Sequence, residues 1–308
     1  METLFITHPT CRMHNMRSWH PESPQRLDAI NDRMLASGVA YYVRELEAPK
    51  ASVADLERVH KPDYVSFIRD NIPESGYFNI DTEETCLNPH TFQAALHAAG
   101  SGILAVDEIM AGKAKNAFCS VRPPGHHAEP DRSTGFCFFN NMCVAASYAI
   151  EKYGLERIAL IDFDVHHGNG TEKIFENHPN IMMFSFFQHP LFPHSGTENV
   201  AQNMVNIPVP AYTRMKVIEE LVKDQWLPKM RDYKPQLIMI SAGFDAHRED
   251  DMGQLDLTER DFAWLTQQLM DVADECCEGR IVSFLEGGYE LSALGRSAVE
   301  HVKTLAGI

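Results

Sequence analysis

The sequence predicts one α/β domain over residues 1–308, an open, mostly parallel sheet with helices on both faces. Short apolar, β-rich runs alternate with longer segments of helical periodicity, which is how parallel βαβ units are strung together. Most of these runs are continuously apolar, as strands covered on both faces should be. No repeat, low-complexity tract or linker divides the chain.

The first strand is TLFIT (3–7), followed by helical patterns over 24–36 and 61–71. HTFQAALHAAGSGILAVDEIMA (90–111) is Ala-rich with apolar residues at helical spacing, and predicts a long helix. AFCSV (117–121) is a strand and 138–152 a helix. RIALIDF (157–163), IMMFSF (181–186) and MVNIPV (204–209) are three strands in succession. A helix over 213–230, the strand QLIMISA (236–242), a helix over 258–277, the strand RIVSFLE (280–286) and a helix over 292–305 complete the pattern.

A chain of 308 residues buries a large core without staples. Its 44% hydrophobic and 23% charged fractions exclude a disordered or fibrous protein. With 27 basic against 43 acidic residues the net charge is −16, which argues against a general nucleic-acid binder and leaves room for a cationic substrate. The seven cysteines are odd in number and form no CxxC pair, so no disulfide framework is expected. Cys119, Cys137 and Cys143 lie in apolar runs as buried thiols, and Cys276-Cys277 reads as two reduced thiols on a helix. The first residues carry neither a basic nor a long apolar signal region, and no apolar run of about 18 residues occurs, so the expectation is a cytoplasmic protein with no membrane span.

In an open parallel sheet, ligands bind beyond the carboxyl ends of the strands. Arg122-Pro123-Pro124-Gly125-His126-His127 follows AFCSV, and Asp164, His166, His167, Gly168 and Asn169 follow the strand at 157–163. Ala242-Gly243-Phe244-Asp245-Ala246-His247 and Glu286-Gly287-Gly288-Tyr289 follow the last two strands. Four ends thus present the residue types of metal and acid–base chemistry. A single histidine there would be read as structural; four such clusters resist that reading. Asp162, Asp164 and His166 are spaced by two, so in extended chain they share one face. Two carboxylates and an imidazole suit Zn2+ or a similar divalent ion, and Asp245 completes the set from another strand. Three protein ligands leave positions open, the mark of a catalytic rather than a structural site.

The motifs DFDVHHGNG (162–170), RPPGHHAE (122–129), GFCFFNN (135–141), SAGFDAH (241–247) and EGGY (286–289) together resemble the zinc-dependent histone deacetylase superfamily, which includes acetylpolyamine amidohydrolases and bacterial deacetylase-like amidohydrolases. The likeness runs from HPESPQR (20–26) to the end, and SAGFDAH with Asn169 is similar to the class II branch. The resemblance implies the arginase/deacetylase fold. It implies Asp164, His166 and Asp245 as ligands of Zn2+, with Fe2+ an alternative in the cell, and His126 and His127 as the paired active-site histidines. Asp162 would orient His126, Asn169 would pair with His127, and Tyr289 would polarise the substrate carbonyl. Gly287-Gly288 would let the backbone set that hydroxyl in place, although two glycines also simply make a turn.

Gly135, Phe136 and Phe192 match the walls of the acyl-lysine channel, and Arg26 an arginine beside an internal cavity. A K+ site would use the carbonyls of Asp162, Asp164 and His166 with Ser185 and Phe186. Met252 stands where polyamine-selective relatives carry a glutamate, a departure that weakens a polyamine reading. Asp81, Glu83 and Glu84 are rim candidates for a cationic substrate, with solvated loop charge the plainer reading. Cys11, His14 and His20 are too scattered to argue strongly for a second metal; loops of this kind in relatives shape the pocket mouth or a dimer contact, so a homo-oligomer is compatible. The implied activity is metal-dependent deacetylation of an acetyl-lysine peptide or a similar acylated amine, with an acetylpolyamine or other small-molecule deacylase as the alternative. An arginase-like ureohydrolase would need further Asp/His ligands, and a catalytically dead reader should have lost a ligand or the tyrosine.

Overall fold

The computed structural model describes residues 2–80, 85–198 and 200–308. Its frame is an eight-stranded sheet in the order β2-β1-β5-β10-β9-β6-β7-β8. These strands are β1 (Glu2–Thr7), β2 (Val43–Glu47), β5 (Ala114–Cys119), β6 (Ile158–Asp162), β7 (Ile181–Gln188), β8 (Met204–Val209), β9 (Leu237–Ala242) and β10 (Ile281–Leu285). β3 (Phe78–Asn79) and β4 (Cys86–Leu87) form a small antiparallel pair apart from it. Every pairing in the large sheet is parallel.

The helices are α1 (Gln25–Ser37), α2 (Val53–Leu56), α3 (Pro62–Asp70), α4 (Thr91–Met110), α5 (Asn141–Tyr153), α6 (Asn169–Phe175), α7 (Met215–Leu221), α8 (Leu227–Tyr233), α9 (Glu259–Cys276) and α10 (Leu291–Ala306). They cover both faces, so every residue of the inner strands β6, β9 and β10 is buried. That explains their continuous apolar runs. The edge strand β2, VRELE, has no fully buried residue and carries charge along its exposed side.

The structure departs from the sequence reading at several elements. The stretch 213–230 is not one helix: α7 and α8 are joined by a π turn over Val222–Trp226, just before Pro228. α5 starts at Asn141 rather than 138, because the Asn140 side chain accepts from the Cys143 N–H and caps it. β2, the short α2 and α6, and the β3–β4 pair were not expected at all. All seven cysteines are free thiols. Among the described residues no helix is long and apolar enough to cross a membrane.

The topology places the chemistry. The chain winds outward to β2 on one side and to β8 on the other, so the strand order reverses around the central strands β5, β10, β9 and β6. Their carboxyl ends open onto one crevice. The four motif-bearing loops are the ones that leave those four strands.

Candidate active site

At the crevice floor Asp164, His166 and Asp245 bring one ligand atom each to within 4.8 Å of one another, all three residues buried. His166 Nδ1 lies 2.9 Å from Asp164 Oδ1 and 3.2 Å from Asp245 Oδ2. The far carboxylate oxygens are fixed from behind. Gly287 N–H donates to Asp164 Oδ2 at 2.8 Å and Val165 N–H to Asp245 Oδ1 at 2.9 Å. Asp245 Oδ2 is left buried with no hydrogen-bond donor. A Cβ on Gly243 would stand 2.0 Å from Asp164 Oδ2, and one on Gly287 2.0 Å from Asp245 Oδ2, so glycine backbone forms the cradle. Two carboxylates, an imidazole and an orphaned anionic oxygen fit a divalent cation. Burial opposes charge on His166, but Asp164 and Asp245 outweigh it and raise its pKa to about 10, a measure of how strongly this point attracts a cation.

The loop after β5 lays His126 and His127 beside this cluster, their rings 3.9 Å apart. Asp162, the last residue of β6, is fully buried and takes the Nδ1–H of His126 at 3.0 Å. Burial would lower the His126 pKa; Asp164 and Asp162 overcome it and hold the ring well above the usual imidazole range. His127 is the opposite case: burial, then the neighbouring His126 and His166, hold it well below that range.

Its orientation is set by a chain of hydrogen bonds. Arg132 donates to Glu129 Oε1 at 2.6 Å, and Asn169 Nδ2 donates to the same oxygen at 2.9 Å. That turns Asn169 Oδ1 toward His127 Nδ1, 2.7 Å away. The Nδ1 proton is therefore committed, and Nε2 is left as the basic nitrogen.

Above the cluster a cavity of about 200 Å3 is lined by His127, Gly135, Phe136, His166, Phe192, Met252 and Tyr289. Phe192 packs edge-on to His127 with centroids 5.1 Å apart, and Phe136 edge-on to Tyr289 at 6.2 Å. Gly135 is held at φ +55°, and a Cβ there would meet His127 Cδ2 at 2.2 Å. Among the described residues no carboxylate lines this cavity. Tyr289 is set by Asp250, whose Oδ2 accepts from the Tyr289 and Glu290 N–H groups at 2.6 and 3.0 Å. Burial, then Asp245, keep its phenol protonated.

Arg26 is fully buried, donates to the carbonyls of Gly288 (2.6 Å) and Glu286, pairs with Glu22 at 3.0 Å, and holds its guanidinium 5.0 Å from the Tyr289 ring centroid. The structure thus brings the sequence-predicted metal, histidine and channel residues into one site. Ser185 pairs with Asp162 in the β6–β7 register, its buried Oγ without a hydrogen-bond partner, while Phe186 stacks on Trp226. His14 bonds Thr91 and Cys11 lies against the Ala94 carbonyl; among the described residues, the only group of three or more metal-capable side chains is Asp164, His166 and Asp245. Asp81, Glu83 and Glu84 lie outside the described residues. Sequence reasoning missed Glu129, Asp250 and the part played by Glu286, whose partners are mostly main-chain groups or far away in sequence.

An open parallel sheet that gathers a buried Asp-His-Asp cluster, a histidine pair and a tyrosine at one strand-end crevice is an arrangement able to hold a divalent cation beside acid–base groups. The histidine- and tyrosine-bearing segment lies inside a match to the histone deacetylase domain over residues 20–305. The chain belongs to the histone deacetylase family. It is 37% identical over 303 residues to a probable deacetylase of Archaeoglobus fulgidus, covering 94% of this chain and 82% of that one. It is 32% identical to a histone deacetylase-like amidohydrolase of Pseudomonas aeruginosa, over 94% of this chain and 77% of that protein. It is also 35% identical to the polyamine deacetylase HDAC10 of Homo sapiens, over 93% of this chain but only 44% of that longer protein. The solved HDA15 HD domain superposes with a TM-score of 0.92 at 32% identity, covering 99% of this chain and 88% of that one. Family and relatives support a deacetylase or amidohydrolase.

Proposed function

We propose that this protein hydrolyses the acetamide of an acetylated primary amine, acetyl-lysine in a peptide being the first substrate class. The observation that carries this reading is the narrow aromatic cavity, ending on His127, His166 and Tyr289, with no carboxylate among the described residues that line it. It suits a neutral acyl-amine stem held by apolar contact.

Asp164, His166 and Asp245 would hold a divalent cation, Zn2+ or Fe2+, which when bound would supply Lewis acidity toward the amide and toward water. K+ near Ser185, Phe186 and the carbonyls of Asp162, Asp164 and His166 fits the buried, unpartnered Ser185 Oγ. The remaining work belongs to the side chains. Phe136 and Phe192 align the stem. His127 Nε2 takes the proton from water and returns it to the departing amine. His126, paired with Asp162, keeps positive charge beside the reacting centre. Tyr289 donates its phenol hydrogen bond to the carbonyl oxygen as that oxygen gains negative charge.

A second reading, deacetylation of a polyamine, is favoured by the human relative's name. Against it, Met252 puts a thioether into the cavity wall where a carboxylate would be needed to greet a second amine. Comparing kcat/KM for an acetyl-lysine peptide and for acetylspermidine tests the choice. Preference for the peptide supports the first reading, and preference for the polyamine replaces it with the second.

A further inference from the structure

We infer that Glu286 is a positioning residue for the histidine pair, a strut between the loop that carries His126 and His127 and the strand end that carries Tyr289. This rests on the deacylase reading above. Glu286 follows directly on β10 and is fully buried. One carboxylate oxygen, Oε2, accepts from two successive main-chain N–H groups, Gly125 at 2.7 Å and His126 at 3.0 Å. The other, Oε1, accepts from the Ser241 hydroxyl on β9 at 3.1 Å. Its main-chain carbonyl takes the Arg26 guanidinium, which also bonds the Gly288 carbonyl and faces the Tyr289 ring.

One side chain therefore connects the ends of β5, β9 and β10. A buried carboxylate is costly, and burial raises the pKa of this one to about 7 against the opposing charge of His126. An apolar residue would fill the space more cheaply, but it would leave two buried N–H groups without an acceptor at the residues that aim His126 and His127. The hydrogen-bond pattern, two donors on one oxygen, is what a loop of fixed direction requires.

The test compares E286A and E286Q with the wild-type holoenzyme. The amide oxygen of glutamine can still accept both N–H groups, whereas alanine offers nothing. E286A is expected to lose about 10²-fold in kcat, the scale of a small misplacement of catalytic groups, with KM and metal content near wild type. E286Q is expected to recover most of kcat. Hydrogen exchange gives a second readout: the Gly125 and His126 amides should exchange at least about tenfold faster in E286A and near the wild-type rate in E286Q. Should E286A fail to fold, E286D, which withdraws the carboxylate by one methylene, takes its place with the same expected split. Unchanged exchange and kcat in the alanine variant, or equal impairment of both variants, overturns the inference. If the wild-type protein releases no acetate from any substrate, the deacylase reading fails, and the exchange measurement alone then decides whether Glu286 holds the loop.

Discussion

Tyr289 offers the site one polar atom, its phenol hydroxyl, and everything around it serves to hold that atom in place. Asp250 anchors its main chain and Phe136 packs against its ring. Tyr289→Phe should therefore keep the fold and bind metal as before, while kcat falls by at least about 10², the usual cost of losing one oxyanion donor. Near-normal turnover would take the tyrosine out of the mechanism. Gly135 makes the complementary case. A methyl group there would collide with His127 at 2.2 Å, from a backbone already at φ +55°. Gly135→Ala should lower kcat by more than about tenfold through displacement of the base, with a smaller change in Tm. Steady-state kinetics alongside a melting curve separates the two effects. Both residues stand within motifs visible in the sequence. The reason Gly135 must be glycine was not visible, because it depends on a ring eight positions earlier that folds back over it.

The elements that the sequence revealed are those whose burial leaves a periodic trace. β6, β9 and β10 are buried throughout and mostly apolar because both faces are covered. β2 is not, since an exposed edge strand needs no apolar pattern, and VRELE alternates charge where it meets water. α6 is also silent. It is seven residues long and begins inside the catalytic motif, where His and Gly residues serve the site rather than helix propensity. Close element packing makes its own prediction. α4 crosses the loop at Pro49–Ala51 so tightly that a Cβ on Gly100 would lie 2.0 Å from the Pro49 carbonyl oxygen. Gly100→Ala should cost about 1–3 kcal/mol, seen as a Tm lowered by a few degrees, with kcat per folded molecule unchanged. A melt equal to wild type would mean that this crossing has slack.

Taken across the whole molecule, the sequence located the site because the fold gathers four strand ends, and each end carries a short, chemically distinctive motif. What it hid is the support behind them: Glu129 behind Asn169, Asp250 behind Tyr289, Glu286 behind the histidine loop. These act over long sequence distances or on main-chain groups, which leave no spacing to read. The same buried polar framework sets the response to acid. Burial lowers the pKa of His14 to about 3, with Arg122 adding to the effect, that of His60 to about 4, and that of His301 to about 3. His60 shows why: its Nε2 accepts from the Asn140 N–H while its Nδ1–H donates to the Glu129 carbonyl, so it has no room for a second proton. The unfolded chain takes up these protons near the ordinary 6.5, so their contribution is complete above pH 6.5 and is lost as pH falls from there toward 4 and 3. Glu22, held down to about 2 by Arg122 against the opposing effect of burial, extends the loss below its ordinary 4.5. Through these groups Tm should fall steadily as pH drops below about 6.5. A Tm unchanged down to pH 4 would contradict the burial of these rings.

The measurement that bears most directly on the central claim is acetate release from an acetyl-lysine peptide by protein stripped with a chelator and then titrated with Zn2+. The account predicts no release from the stripped protein, recovery complete near one equivalent of Zn2+, and no recovery when Asp245 is replaced by alanine. Release that ignores the chelator, or that survives the loss of Asp245, would contradict it.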